Sequence, residues 1–424
     1  MGTDKAQDTA SKFHHVESIL KQAINDGVYE LNDKLPSIRQ LSLELKVSKN
    51  TVIRAFQELE AQGVVYSVPR SGYRVSGGTM ISPPIVKPLR VDLLSVCKEF
   101  LTYPQYKELL PLGSAHPNID APAIKSLYAE IGRHSRRQTH TPSHYQLPPG
   151  DSLLVRQLAK ITQDLGTPAS PNELLVTHGA QQAISLALRA TTQPGDIVAV
   201  ESPCYFGNLL LIESLGLEVI EIPSCHREGM DPQALKEALE QWKIKVIILT
   251  PSFTNPTGSM MPLERRKTIL DISDKTPIIE DDVFGALSYA EPIPSLKSLD
   301  KADRVIYVNS LSKTLDSRLR IGWMLAGKHT EHIERLLLCD SMGGINLMQS
   351  ALSDFFTSGK YKTHLSRMRR IYQGNTKRFV ALFKQAMEQY PSLHNHYHIS
   401  GVQGSFLLWI RLPESIDCDA LYRT

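Results

Sequence analysis

The sequence predicts two domains of different fold class: a small N-terminal helical domain closed by a β-hairpin, and a larger α/β domain with a mainly parallel sheet. Helical periodicity is dense up to Val75, residues 76–90 are rich in Gly, Ser and Pro, and apolar strands then alternate with amphipathic helices. Such alternation is typical of a parallel sheet covered by helices. We expect domains at 1–75 and 91–424 with a linker at 76–90, the larger domain having a large part at about 120–325 and a smaller α/β part at about 340–424.

The composition is that of an ordinary globular protein and excludes several classes. Of 424 residues, 42% are hydrophobic and 21% are charged, and the formal net charge is only +3, so nucleic-acid affinity must come from a local patch. The 5 cysteines are scattered without a CxxC motif or a Cys/His cluster, so we expect neither a disulfide framework nor a bound metal. An apolar signal segment and an apolar run of ~20 residues are both missing, which favours a cytoplasmic protein without a membrane span.

The N-terminal pattern predicts three helices followed by two short strands. Apolar residues at helical spacing end near Asn25, a second helix opens after Ser37, and Ser48 is a suitable N-cap for a third helix that ends before Gly63. The hairpin strands are expected at 64–68 and 73–75, with a turn at 69–72.

The start of the third helix carries the chemistry of a DNA reader. Lys49 can bond guanine or phosphate and Asn50 can bond adenine, with Arg39 and Arg70 flanking them. Between Lys34 and Arg74 there are seven basic residues and three acidic ones, which is the local excess that phosphate binding needs. On spacing alone, a small helical bundle with solvated lysines explains the pattern about equally well.

The stretch KLPSIRQLSLELKVSKNTVIRAFQELEAQGVVYSVPRSGYRV resembles the GntR winged helix-turn-helix domain along its whole length. Helix starts, turn and wing all coincide with that family. The resemblance implies a double-stranded DNA operator as partner. It also implies base contacts at five positions and wing contacts at two: Arg39, Ser48, Lys49, Asn50 and Thr51, then Arg70 and Gly72.

The α/β region places polar motifs directly after its predicted strands. Strands are expected at 174–177, 197–200, 218–222, 246–249, 277–280 and 305–308, with helices at 181–190 and 208–215. In parallel sheets a ligand binds beyond the carboxyl ends of the strands. Residues that follow these strands are therefore the candidates for a binding site.

Several of these motifs suit pyridoxal 5′-phosphate (PLP), whose chemistry needs a lysine amine for a Schiff base and a cradle for the phosphate. Lys313 supplies the amine, and Ser310, Ser312 and Arg320 can supply part of the cradle. Gly179, Ala180 and Gln181 open a helix after a strand, so their backbone amides can bind the phosphate as well.

Three further motifs complete the set. The Tyr205 ring can stack on a pyridine, and Asn255 in an NPTG turn can donate to the ring oxygen. A carboxylate from Asp281 or Asp282 can pair with the pyridinium nitrogen; we favour Asp281, although spacing alone leaves both open. Each motif has an ordinary alternative, such as a helix cap, a core tyrosine, a loop turn or a surface acidic pair. Their joint occurrence in this order favours the cofactor site.

The segment from Tyr145 to Gly322 resembles the fold type I PLP-dependent aminotransferases, and behind a GntR domain the whole chain resembles the MocR-type regulators. The resemblance implies PLP as cofactor, Lys313 as the lysine that carries it, and a homodimer that exchanges its DNA-binding heads. It further implies that Tyr145 of the neighbouring subunit reaches the phosphate, although this position matches loosely.

Two departures from the aminotransferase pattern bear on activity. The family has a tyrosine two or three residues after the pyridinium aspartate, whereas this chain has Val283 and Phe284, which puts efficient transamination in doubt more than cofactor binding. Nothing after Arg411 convincingly matches the arginine that holds an amino-acid carboxylate, although Arg423 lies nearby. Either the chain is truncated, or ligand recognition differs.

Three functions remain open. The first is a transcription regulator in which the aminotransferase-like domain senses PLP, an amino acid or an amine. The second is an active aminotransferase that carries a DNA-binding head, which steady turnover of an amino acid with a keto acid would support. The third is a DNA-binding module whose C-terminal domain is only structural; the joint presence of Lys313, Asn255, Asp281 and Arg320 weighs against it.

Overall fold

The computed structural model describes residues 3–25, 28–29, 33–61, 64–68, 72–75, 88, 113, 115–117, 120–138, 140, 144–390, 397–413 and 416–423. The chain divides into two compact units. One comprises residues 1–83 with 380–399 and 410–424, and the other comprises residues 84–379 with 400–409. Of the expected linker at 76–90 only Pro88 is described, so the linker stays a prediction.

The N-terminal residues form the expected three helices and hairpin. The helices are α1 (Thr3–Asn25), α2 (Ile38–Glu44) and α3 (Lys49–Ala61), and the strands are β1 (Val65–Val68) and β2 (Gly72–Val75). The strands pair antiparallel, from Val65 opposite Val75 to Val68 opposite Gly72.

Sequence determines these elements locally. Ser37 caps α2 by accepting a hydrogen bond from Gln40 N at 3.2 Å, which satisfies a backbone donor that a helix start leaves free. The amphipathic faces of the helices then bury one apolar cluster that includes Val16, Leu41, Phe56 and Val65. This cluster fixes α3 against the hairpin.

The second unit contains helices and strands in alternation, which confirms the predicted α/β class. Its helices are α4 (Pro122–Gln138), α5 (Ser152–Asp164), α6 (Ala180–Thr191), α7 (Phe206–Ser214), α8 (Pro232–Gln241), α9 (Leu263–Ile272), α10 (Leu296–Leu299), α11 (Thr330–Ser341) and α12 (Asn346–Thr357); α13 (Lys360–Met387) follows. Its strands are β3 (Leu174–Thr177), β4 (Ile197–Ser202), β5 (Glu218–Cys225), β6 (Gly229–Met230), β7 (Ile244–Leu249), β8 (Ile278–Asp281), β9 (Val305–Ser310) and β10 (Gly322–Leu325).

These strands form one sheet with the order β3-β10-β9-β8-β7-β4-β5-β6. The central run from β5 through β4, β7 and β8 to β9 is parallel, whereas β10 is antiparallel to both of its neighbours. Apolar side chains pack on both faces: Val198 and Val200 of β4 face one cluster and Ala199 faces another. Burial on both faces explains why these strands are continuous apolar runs in the sequence.

The topology brings the expected site to one edge of the sheet. The carboxyl ends of β4, β7, β8 and β9 lie together because these strands are parallel. The carboxyl end of β3 lies at the same edge, since β3 and β9 both run antiparallel to β10. Gly179, Tyr205, Asn255, Asp281 and Lys313 all stand at or just beyond such an end.

The C-terminal residues add β11 (His398–Ser400), β12 (Trp409–Arg411) and α14 (Cys418–Arg423), with β11 and β12 in a two-stranded sheet. Among the helices that the structure describes, none is both long enough and apolar enough to cross a bilayer.

Candidate functional site

Lys313 lies three residues beyond β9, partly buried, in the loop that leads to β10. Its Nζ donates a hydrogen bond to the backbone carbonyl of Ala115 at 2.8 Å. Burial lowers the pKa of Lys313, the Arg320 charge lowers it further, and the Asp281 carboxylate opposes both. A lysine in these surroundings gives up its proton more readily than one in water, as a nucleophilic amine must.

The two aspartates have different surroundings, and the preference for Asp281 as the partner of the ring nitrogen stays a prediction. It is the last residue of β8, its charge interacts with Lys313, and its Oδ1 accepts a hydrogen bond from Val283 N at 3.2 Å. Asp282 instead accepts a hydrogen bond from the buried Tyr307 hydroxyl at 2.7 Å and interacts with the Arg266 charge. Asp282 therefore belongs to an internal polar network, whereas Asp281 faces the lysine.

Burial raises the pKa of Asp281 to about 7, with Asp282 adding to the rise and the Val283 amide and Lys313 opposing it. A carboxyl with this pKa holds or releases a proton near neutrality. A cationic partner placed against it would favour its charged form.

Gly179 and Arg320 meet at the start of α6, where the sequence predicts an anion cradle. Gly179 is the N-cap residue and gives the helix no side-chain cap, so the first amides of α6 keep their donors for another acceptor. A Cβ built on Gly179 would lie 2.7 Å from Arg320 Nη2, so the absence of a side chain lets the guanidinium approach the helix end. Gly322 packs equally closely, since its Cβ would lie 2.6 Å from the Gly179 carbonyl carbon.

Arg320 has a left-handed backbone with φ 52° and ψ 42°, and its Nη2 donates to His178 O at 2.9 Å. One donor of the guanidinium is thus used to hold the side chain in place, and others remain for an anion. Positive charge and helix amides together are the usual components of a phosphate site.

Ser310 and Ser312 tie the lysine loop to the sheet. Ser310 Oγ donates to Ser312 Oγ at 2.8 Å and accepts from Ser312 N at 3.0 Å, and both side chains are buried. The expected contribution of these serines to a phosphate cradle is untested, but their mutual bonds fix the conformation of the residues just before Lys313.

Gln181 and Tyr205 meet at Gly207. Gln181 Nε2 donates to Gly207 O at 2.7 Å, and the Tyr205 ring packs on Gly207, where any Cβ would collide with it. The start of α7, which carries Tyr205, is thereby held against the start of α6. The ring lies beside the anion cradle, as stacking on a cofactor would require.

The last two expected residues, Asn255 and Tyr145, make no contact with the other expected site residues among the described residues. The Asn255 side chain makes no hydrogen bond within the described residues, and only the strand topology places it at the same edge. Tyr145 is 72% exposed and lies beside Gln146, whose backbone bridges Gly344. Within one chain, Tyr145 therefore faces solvent.

The segment that contains Ala115 and His116 lies at the site, although no sequence motif marks it. His116 Nδ1 lies 3.2 Å from Ser317 Oγ, and its charge interacts with Lys313. The GSAHP stretch has no periodicity and stands 198 residues before Lys313, so no local pattern relates the two. Phe284, noted above for its missing hydroxyl, has its ring centroid 5.6 Å from Lys313 Nζ.

In the N-terminal unit, α3 presents only part of its expected DNA-reading set. Lys49 and Asn50 are exposed in its first turn, and Arg39 is exposed on α2. Ser48 caps α3, because its Oγ accepts from Thr51 N at 3.1 Å and lies 2.8 Å from Thr51 Oγ1. Thr51 is only 5% exposed.

The Thr51 hydroxyl thus supports the helix cap, and the expected contact of Thr51 with a base stays a prediction. Among the expected wing positions, Gly72 is exposed with φ +98°, a left-handed backbone that favours glycine. Arg70 lies outside the described residues.

Comparison with known families assigns both parts of the chain. Residues 13–75 match the family described as bacterial regulatory proteins, gntR family, and residues 110–424 match aminotransferase class I and II. Among solved structures, kynurenine aminotransferase of Pyrococcus horikoshii aligns with a TM-score of 0.69 at 25% identity, covering 79% of this chain and 83% of that one. The multiple substrate aminotransferase of Thermococcus profundus aligns with a TM-score of 0.67 at 25% identity, covering 78% and 82%.

Relatives along the full chain share the same two-part organisation. The uncharacterized HTH-type transcriptional regulator YjiR of Escherichia coli K12 is 35% identical over 96% of this chain and 87% of its own length. The probable rhizopine catabolism regulatory protein MocR of Rhizobium meliloti is 28% identical over 95% of this chain and 82% of its own. The chain belongs to the MocR-type group of GntR-family HTH-type transcriptional regulators, in which a class I and II aminotransferase domain follows the DNA-binding domain.

Proposed function

We propose that this regulator binds a double-stranded DNA operator through α3 and binds PLP at the carboxyl edge of its large sheet, so that PLP, an amino acid or an amine controls DNA binding. The observation that carries the proposal is the convergence of Lys313, Asp281 and Arg320 with the uncapped start of α6. A DNA-binding role places the protein in the cytoplasm.

The residues present fit PLP in shape and in charge. Gly179 leaves a cradle that a Cβ would fill, and Arg320 adds a cationic donor with free N–H groups beside it. Asp281 supplies a buried carboxylate within the field of Lys313, which matches a ligand that has an anionic phosphate at one end and a basic ring nitrogen at the other.

Each group has a distinct task. Arg320 and the amides of Ala180 and Gln181 would hold the phosphate, with Ser310 and Ser312 bracing the loop. Asp281 would hold a proton on the ring nitrogen, the Tyr205 ring would stack on the pyridine, and Asn255 would donate to the ring oxygen. Bound PLP supplies a carbonyl carbon for an amine and an electron sink for the charge that develops next to it. The Lys313 amine, with its lowered pKa, is the group that would attach it.

An active aminotransferase is the second candidate, and it is favoured by the presence of every group needed to attach the cofactor. Phe284 argues against efficient turnover, because its buried ring lies beside Lys313 where a hydroxyl would otherwise tune the lysine. Steady conversion of an amino acid and a keto acid by the full chain would support the enzyme. A single stoichiometric reaction or none would support the regulator.

The DNA-binding unit would use the exposed Lys49 and Asn50, with Ser48 and Arg39 beside them, to read bases and phosphates. A homodimer that exchanges its heads would present two such helices to paired half-sites. The 72% exposure of Tyr145 leaves its ring available to a partner subunit, as the proposed dimer requires.

Binding to DNA next to the protein's own gene, compared with random DNA of equal length, tests the regulatory function. We expect specific protection of that DNA, with a response to PLP. Equal affinity for both DNAs under all conditions would contradict the proposal.

A further inference from the structure

A short segment of unassigned function, residues 115–117, lies against the loop that carries Lys313. Ala115 O accepts the Lys313 Nζ hydrogen bond at 2.8 Å, and His116 Nδ1 lies 3.2 Å from Ser317 Oγ. Ala115 and His116 thus contact the lysine loop at Lys313 and at Ser317, which flank residues 314–316. The imidazole of His116 is close enough to the Lys313 amine for their charges to interact.

Ser317, which contacts the His116 ring, follows a residue whose side chain is held by two hydrogen bonds. Asp316, whose side chain is 1% exposed, accepts a hydrogen bond from Tyr128 Oη at 2.9 Å and from Arg318 Nη2 at 2.7 Å. These bonds fix the backbone on both sides of Ser317 to α4. The orientation of the His116 ring is therefore set before any ligand arrives, which lowers the entropy cost of binding.

One nitrogen of the His116 ring is left for a ligand. Nδ1 is used by Ser317, no hydrogen bond of Nε2 occurs within the described residues, and the residue is exposed. Partial burial and the Lys313 charge lower the pKa of His116, while Asp316 opposes them, so the surroundings favour the neutral ring. When the Ser317 hydroxyl donates to Nδ1, the proton of the neutral ring sits on Nε2, which is then a donor.

The Lys313 charge acts on the His116 ring, and the carboxylate that opposes it, Asp316, is already bonded to Tyr128 and Arg318. Arg320 and the start of α6 are taken up by the phosphate in the proposed function. The Nε2 donor of His116 remains for a second acidic group next to the reacting amine.

We propose that His116 is a specificity-determining residue of the ligand site, and that its Nε2–H binds the carboxylate of an amino-acid ligand whose amine is presented at Lys313. The inference rests on the proposed PLP function and adds the ligand class: amino acids rather than simple amines. Ser317 is a positioning residue that fixes which ring nitrogen donates.

Matched ligand pairs on the PLP-loaded full chain test the inference. Glycine, β-alanine and 4-aminobutyrate are titrated beside methylamine, ethylamine and propylamine, each pair differing only by the carboxylate, with the shift of the visible band as the measure of Kd. We expect at least one amino acid to bind about ten- to a hundredfold more tightly than its amine. In His116→Ala that preference should disappear while amine binding is unchanged.

Variants separate recognition from a structural effect. His116→Gln retains an amide donor and should keep part of the preference, Ser317→Ala should weaken it, and the control His332→Ala on α11 should leave it intact. Equal affinity for every pair in the wild-type chain overturns the inference, as does a His116→Ala variant that weakens acids and amines in the same proportion. A wild-type chain that shows no PLP band would instead overturn the proposed function itself.

Discussion

Replacing Gly179 by Ala should damage the cofactor site more than the fold. Gly179 has φ +87° and ψ 171°, a region that only glycine occupies easily, so an alanine costs about 1–3 kcal/mol of unfolding free energy. The new Cβ would also lie 2.7 Å from Arg320 Nη2 and displace the guanidinium. Hydrogen bonds to a charged phosphate contribute about 1.5–3 kcal/mol, so the Kd for PLP should rise about 10- to 150-fold.

Gly195 provides the matched control. Its φ of +88° nearly equals that of Gly179, yet a Cβ there would meet no atom within 4 Å. Gly195→Ala should therefore lose stability through backbone strain alone and bind PLP as the wild type does. In an Arg320→Ala background the collision is absent, so Gly179→Ala should add little further loss of PLP affinity.

Two assays distinguish the effects: absorbance titration with PLP gives the Kd, and urea unfolding of the PLP-free chain gives the stability. Equal PLP affinity in Gly179→Ala and Gly195→Ala would refute the reasoning, because the approach of Arg320 to the start of α6 would then contribute nothing to binding.

Two further substitutions test other parts of the account. Asp281→Asn should stabilise the fold and weaken cofactor binding. Burial holds the pKa of Asp281 at about 7 in the folded chain, against 3.8 in the unfolded chain. Between these values the folded chain keeps a proton that the unfolded chain loses, so the stability of the wild type falls as the pH rises. The variant should make this slope smaller without abolishing it, because burial also raises the pKa values of Glu201 and Glu280 to about 7. It should gain on the order of 2–4 kcal/mol at pH 8 without PLP, while PLP binds more weakly; urea unfolding from pH 4 to 8 checks it, and an unchanged slope would contradict it. Lys49→Ala should weaken operator binding by about 1–3 kcal/mol if Lys49 reads a base. If Lys49 contacts phosphate, the slope of the logarithm of affinity against the logarithm of salt concentration should instead fall by about one. Fluorescence anisotropy titration of labelled DNA measures both, and Lys236→Ala on α8 should change neither.

Strand positions were readable from sequence because each central strand is buried on both faces. Val246–Leu249 and Val305–Val308 are continuous apolar runs, and the observed strands extend them by only two residues each. The motifs after these strands could be grouped in advance, since parallel strands end at one edge. Lys313 and Gly179 were grouped in this way, and the structure places both at that edge.

Other features required the three-dimensional arrangement. Spacing left Asp281 and Asp282 open, because they are adjacent at the end of β8 and only the packing shows which of them interacts with the lysine. Thr51 was expected to contact DNA, but its position three residues after the N-cap turns its hydroxyl toward Ser48. Ala115 reaches Lys313 across 198 residues of sequence, a contact that no local pattern encodes.

The central claim is that DNA binding by α3 responds to PLP held at Lys313. The most direct measurement is the affinity of the full chain for DNA next to its own gene, with and without PLP, in the wild type and in Lys313→Ala. We expect PLP to change the affinity or the footprint of the wild type, and Lys313→Ala to bind the same DNA without responding to PLP. An identical PLP response in both proteins, or no response in either, would contradict the claim.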